Sequence, residues 1–199
     1  MLKKIFHFSF VMAVICGICI FGVSLVFNIT KDDIAQKESQ KKQAALSIIL
    51  GDLEVEPQAE LFTYANKDYE IYIGRDKTTK EIQGWGIQVG EQGYSSVVQT
   101  MVGLDTNYNI IAIEIIFQQE TPGLGAECVS MGSKKLSSLW TQEETNTEKR
   151  PQFQAQFSGQ NLETMQFQPM TGATITSTAV FRSVAKAIQI IKMYRQSKK

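Results

Sequence analysis

From Ile5 to Thr30 the chain carries no Asp, Glu, Lys or Arg, and His7 is the one basic side chain in the run. That length exceeds the roughly 20 apolar residues a helix needs to cross a hydrocarbon core. A cleaved signal peptide would have a shorter apolar stretch, about 7–15 residues, ending in a small-residue cleavage site. No A-x-A pattern stands near Ser24–Thr30, and no lipobox-like context precedes Cys16 or Cys19. The run therefore reads as a retained transmembrane anchor. Lys3 and Lys4 precede it, and Lys31, Asp32 and Asp33 follow it. The positive-inside rule keeps the N-terminus in the cytoplasm and puts everything after Thr30 on the other side.

Three segments follow from this anchor: a cytoplasmic tip and span over 1–30, a juxtamembrane helix over 31–51, and an extracytoplasmic domain over 52–199. The second begins with charges at Asp32, Asp33 and Glu38 and ends in Ala44, Ala45, Leu46, Ile48 and Ile49, with Gly51 as its stop. Its apolar end is expected to make the first contact with the domain. Strands are expected at Tyr69–Ile73, Gly84–Val89, Ser96–Leu104 and Ile110–Phe117, the last two separated by the turn-like cluster 105–109. Leu136–Trp140 suggests a short helix and Thr141–Pro151 a loop. Gln152–Phe157 alternates like a strand. Val180, Val184, Ala187, Ile188 and Ile191 recur on one helical face, while Arg182, Lys186, Lys192 and Arg195 lie off it. The expected class is α+β: an antiparallel sheet with packed helices, preceded by one N-terminal transmembrane helix.

Charge and residue counts exclude several functions. Lys plus Arg and Asp plus Glu number 20 each, so the formal net charge is zero and no basic face invites a nucleic acid. The one histidine lies in the apolar run, which excludes a His-based metal site or catalytic triad in the domain. Of three cysteines, Cys16 and Cys19 fall in the span and Cys128 stands alone, so no disulfide framework is visible. The C-x-x-C reads as small apolar filling.

Two stretches carry more specific chemistry. Thr171-Gly172-Ala173-Thr174-Ile175-Thr176-Ser177-Thr178 places five hydroxyls and a glycine immediately before the terminal helix. Free N–H groups and the helix dipole favour an anion such as a phosphate there, and plain N-capping is the alternative. Glu120-Thr121-Pro122-Gly123-Leu124-Gly125 makes a stiff turn that pushes Leu124 outward and offers the Thr121 hydroxyl. Such a turn suits either a planar aromatic ligand or a purely structural loop.

The pair of motifs, Glu-Thr-Pro-Gly-Leu-Gly and Thr-Gly-Ala-Thr-x-Thr-Ser, behind one N-terminal membrane helix resembles the FMN-binding family. That family includes the G subunit of Rnf-type ion-translocating oxidoreductases and the C subunit of the Na⁺-translocating NADH:quinone reductase. The short length and Gly93-Tyr94-Ser95-Ser96 are more similar to the Rnf protein. The resemblance implies an electron-transfer subunit of a bacterial inner-membrane complex, not catalytic alone. It implies FMN joined by a phosphoester to Thr174, attached by a separate flavin transferase, with other subunits of the complex as partners. It also places Thr121 and Leu124 against the isoalloxazine ring on a turn shaped by Gly123, and Gly172, Ala173, Thr176 and Ser177 around the phosphate, with Tyr94 nearby. A carboxylate at Glu120 beside the ring would disfavour an anionic reduced flavin. One position departs from the family pattern: Gln168 stands where an acidic residue usually opens the attachment motif. A stand-alone extracytoplasmic flavoprotein and a membrane-anchored binding module without redox function are the competing readings.

Overall fold

The computed structural model describes residues 2–129 and 151–198; the expected helix at Leu136–Trp140 and the loop after it, up to residue 150, lie outside them. The chain divides into two compact units, Met1–Lys42 and Gln43–Lys199. Helix α1 (Leu2–Leu50) is one continuous element that runs through the expected span and the expected juxtamembrane helix. From Phe6 to Ile29 its large apolar side chains are exposed, among them Phe8, Met12, Ile18, Phe21, Val23 and Phe27. A helix apolar all round with nothing packed on it suits a lipid environment. Leu50 is the last helical residue, and Gly51, at φ +58°, takes the left-handed conformation that ends helices.

Among the described residues, the second unit is built on a six-stranded antiparallel sheet. Its strands are β1 (Glu54–Val55), β2 (Glu60–Tyr64), β3 (Lys67–Arg75), β4 (Ile82–Gln92), β5 (Val97–Asp105) and β6 (Ile110–Phe117). The order is β1-β3-β4-β5-β6, with β2 pairing a different stretch of β3. The four expected strands are present, and β3 and β4 run well beyond their apolar patterns. The two short strands were not foreseen. β2 joins β3 through Ala65 and Asn66, both at positive φ, a two-residue hairpin turn without the glycine that usually signals one.

Period-2 alternation sorts the strands into two buried faces. Ile71, Ile73, Trp85, Ile87, Val89, Val102, Leu104, Ile113 and Ile115 form the larger core with the stripe Val180, Val184, Ala187, Ile188 and Ile191 of the terminal helix α3 (Thr174–Ser197). On the other face, Ala45, Leu46, Ile49 and Leu50 of α1 pack with Met101 and Ala112. This second contact requires a smooth floor. A side chain at Gly103 would put its Cβ 2.4 Å from the Ile49 carbonyl oxygen, so the helix backbone lies directly on the sheet.

One expectation is corrected. Gln152–Ala155 is a single helical turn, α2, not a strand. Pro151 sits at its N-cap, with the N–H groups of Gln154 and Ala155 donating to the Pro151 carbonyl (2.9 and 3.0 Å). Phe153 and Phe157 satisfy alternation and an i, i+4 helical spacing equally. The proline decides for the helix, and the two rings meet edge to face at 5.8 Å.

Candidate functional site

At the N-terminal end of α3, two turns of the same design face one another. Thr121–Leu124 closes with the Leu124 N–H donating to the Thr121 carbonyl (3.2 Å), with Pro122 second and Gly123 third at φ +75°. Met170–Ala173 closes with the Ala173 N–H donating to the Met170 carbonyl (3.0 Å), with Gly172 third at φ +76°. A positive φ at the third position is the type II pattern, and glycine adopts it without strain. A Cβ on Gly172 would lie 3.0 Å from Leu124 Cδ2, so the turns stand in near contact.

Together with the tip of the β4–β5 hairpin they enclose a cavity of ≈ 600 Å³. Tyr94, Thr121, Leu124, Gly172, Ala173, Thr174 and Thr176 line it, with Glu120, Gly125 and Ile175. Seven of the nine residues named from sequence are thus assembled in one place. Gly123 shapes the turn without lining the cavity, and Ser177 is fully buried behind it. Gly125 and Ile175 were not named as site residues, although each lies inside one of the two motifs.

The hydroxyls of the 171–178 segment do not cap the helix. Ala173 is the N-cap residue and supplies no side-chain bond. Ser177 Oγ donates to the Ala173 carbonyl (2.9 Å) and accepts from the Met170 N–H (3.0 Å), which locks the entry turn to the helix. Thr178 Oγ1 donates to the Thr174 carbonyl (2.7 Å). Thr176, buried, donates to Glu120 (2.6 Å). Thr174 is exposed, and its hydroxyl bonds to no described residue. The N–H groups of Thr174, Ile175 and Thr176 likewise find no backbone acceptor among the described residues. The first free donors of a helix therefore point out beside a free hydroxyl.

Among the described residues no Lys or Arg lines the cavity. Its charge is Glu120, 6% exposed and without an ion pair among the described residues. Burial alone would raise its carboxyl. The Thr176 hydroxyl and the N–H groups of Ser96, Ser95 and Tyr94 outweigh that and hold it below the ordinary carboxylate value. Cys128, buried nearby, is pushed up to about 11, by desolvation first and then by the Glu120 charge, so it is a neutral thiol at physiological pH. No cluster of His, Cys, Asp and Glu suited to a metal occurs among the described residues. Tyr94, Leu124 and Ile175 give the cavity an exposed apolar rim.

The FMN-binding domain family matches residues 93–189, a span that contains every residue lining the cavity. Over nearly its whole length the chain is also similar to curated proteins. One is the G subunit of the Na⁺-translocating ferredoxin:NAD⁺ oxidoreductase complex of Acetobacterium woodii, 27% identical over 94% of this chain and 92% of that protein. Another is the G subunit of the proton-translocating ferredoxin:NAD⁺ oxidoreductase complex of Clostridium ljungdahlii, 24% identical (98% and 96%). A third is the G subunit of the ion-translocating oxidoreductase complex of Vibrio cholerae, 24% identical (98% and 94%). With its exposed apolar helix the chain is membrane-anchored. The cavity therefore lies within the stretch that matches the FMN-binding domain family, on a chain that resembles the G subunits of ion-translocating oxidoreductase complexes along nearly its full length.

Proposed function

We propose that this domain holds FMN in the cavity, bonded through its phosphate to Thr174 Oγ1. In this reading it serves as an electron-relay subunit of a membrane-bound, Rnf-type ion-translocating oxidoreductase complex. The observation that carries the reading is the exposed hydroxyl of Thr174, which has no partner among the described residues, beside three N–H groups at the start of α3 that have no backbone acceptor among them. Helix N-termini accept phosphates in this way. The cavity falls within the roughly 300–1,000 Å³ of small-molecule sites. Its apolar rim of Tyr94, Leu124 and Ile175, with the Thr121 hydroxyl, suits a planar ring that carries polar edges. In this reading the N–H dipoles at the start of α3 meet the phosphate charge. A covalent tether then secures retention, which matters for a domain outside the cytoplasm.

When bound, FMN supplies one-electron and two-electron transfer. The chain's part is to orient it. The turn at 121–124 supports the ring, while the turn at 170–173 and the first turn of α3 hold the phosphate. The hydroxyls of Thr176 and Ser177 are engaged inside the protein, so their share is to fix the helix start, not to bind phosphate oxygens as donors. A flavin transferase would make the Oγ1–P bond from a flavin dinucleotide, whose pyrophosphate P–O bond breaks to release a nucleoside monophosphate while the Thr174 proton departs to that enzyme. Gln168 is exposed just ahead of the 170–173 turn, where the transferase can meet it. Lys3 and Lys4 keep the N-terminus cytoplasmic and the domain on the far side.

The test is the full-length protein co-expressed with a flavin transferase. Intact mass should show one added FMN moiety, and denaturing gels a fluorescent band. Thr174→Val should lose both. A Thr174→Val protein as fluorescent as the parent would remove the site.

A further inference from the structure

Glu120 sits where three segments of the cavity converge: the β4–β5 hairpin, the first turn of α3 and the Thr121–Leu124 turn. The consecutive N–H groups of Tyr94, Ser95 and Ser96 donate to its carboxylate at 3.2, 3.1 and 3.0 Å. Ser96 Oγ adds a longer bond of 3.4 Å and accepts from the Gln119 N–H at 2.8 Å. Thr176 Oγ1 donates to the other side at 2.6 Å. Consecutive N–H groups turned toward one anion form a concave nest, and here the anion is a side chain of the protein. The packing around it is tight. A Cβ on Gly93 would come 2.7 Å from Glu120 Oε1. One on Gly125 would come 2.6 Å from Thr176 Oγ1 and 2.9 Å from Glu120 Cβ.

This arrangement separates two anion positions. The hairpin nest is filled from within, while the N–H groups of Thr174 to Thr176 have no backbone acceptor among the described residues. By taking the Thr176 hydrogen bond, Glu120 also fixes the rotation of the first turn of α3 against the 121–124 turn. We propose that Glu120 is the positioning residue of this site: its carboxylate ties the β4–β5 hairpin and the first turn of α3 to the Thr121–Leu124 turn, and so presents Thr174 for flavin attachment. The attachment half rests on the Thr174 reading. The tie itself does not, and it can be read without flavin.

Two measurements on the full-length protein in detergent test it. The first is backbone amide exchange in flavin-free protein, made without the transferase. Glu120→Gln should lose at least tenfold of the protection at Tyr94–Ser96 while strands β4 and β5 stay protected. The second is the initial rate of flavin attachment with purified transferase, followed by intact mass. Glu120→Gln and Thr176→Val should each be slowed at least fivefold, and Thr176→Ser should recover most of the loss. The last comparison separates the bond from packing: valine keeps the shape of threonine and loses the hydroxyl, whereas serine keeps the hydroxyl and loses the methyl group. Unchanged exchange in Glu120→Gln would overturn the tie. A valine variant as fast as the parent, or a serine variant as slow as valine, would overturn the positioning of Thr174. A parent that takes no flavin would remove the Thr174 reading and leave the exchange result to decide the tie. If Glu120→Gln loses protection throughout the sheet, the Thr176 pair still decides the positioning.

Discussion

Thr174 and Glu120 occupy one site and have opposite relations to the fold. The Thr174 hydroxyl is exposed and makes no bond to the described residues, so its loss leaves the folded state nearly untouched. Thr174→Val should stay within about 0.5 kcal/mol of the parent in thermal unfolding while its attached flavin falls to zero. Glu120 is buried and bonded on both oxygens, and its removal should cost about 1–3 kcal/mol. That cost depends on pH with a definite sign. Its folded pKa lies below the ordinary value of 4.5, so the unfolded chain binds the proton more readily. The contribution is full above about pH 4.5 and is lost as the pH falls through the lower, folded value. Melting curves of the parent and of Glu120→Gln should therefore be widely separated at neutral pH and converge as the pH falls below the ordinary value of 4.5. Cys128, the neighbouring titratable group, stays neutral across that range. A gap that widens on acidification would contradict the assignment. Sequence alone supplied Glu120 as a member of a motif beside the ring. The nest that holds it was invisible, because Tyr94–Ser96 lie 24 to 26 residues away and act through their backbone, which no residue type advertises.

The elements were legible where one pattern had one meaning. The stripe from Val180 to Ile191 repeats at helical spacing, and each of those side chains is fully buried. Ile110–Phe117 and the heart of β3 followed from dense β-branched and aromatic residues. Ambiguity arose where two patterns coincide, as at Phe153 and Phe157, or where a turn lacked its usual glycine, as at Ala65-Asn66. The pairing of the end of α1 with the sheet was half legible. Apolar residues at 44–49 promised a contact, but nothing in one sequence says that Gly103 is the floor beneath them. That contact can be tested from both sides. Gly103→Ala forces a backbone atom to move, because the Cβ would lie 2.4 Å from the Ile49 oxygen. Overpacking of this kind costs about 1–3 kcal/mol, to be read from the melting temperature. A soluble fragment should begin at Gln43, where the second compact unit starts, and not at Asp52. Starting later strips Ala45, Leu46, Ile49 and Leu50 from the sheet. At about 1.5–3 kcal/mol for each large apolar side chain, that loss rivals the whole stability of a domain. The 52–199 fragment should melt about 10 °C lower or more, or aggregate; equal melting would show that the last turns of α1 are dispensable.

At the scale of the whole molecule, the sheet separates the roles of its two faces. One carries α3, whose first turn forms the cavity wall. The other carries the last turns of α1, the element that also bears the apolar span. The end of α1 and the start of α3 thus meet the same sheet from opposite sides, so each can be altered with little effect on the other. This separation allows membrane orientation to be tested without disturbing the flavin site. Thr78 lies exposed in the β3–β4 turn, away from the residues that line the cavity. The three native cysteines are poor competitors for a water-borne reagent: Cys128 is buried, and Cys16 and Cys19 lie within the apolar run. A Thr78→Cys protein, expressed in a bacterium whose outer layers have been removed, should react with a membrane-impermeant maleimide before lysis. Reversing the flanking charges, with Lys3 and Lys4 changed to Glu and Asp32 and Asp33 to Lys, should shift a large share of the protein to labelling only after lysis, because the lysine bias sets the orientation. Labelling of the Thr78→Cys protein only after lysis would put the domain in the cytoplasm. It would also remove the reason given for a covalent tether, since a cytoplasmic site could refill from the soluble flavin pool.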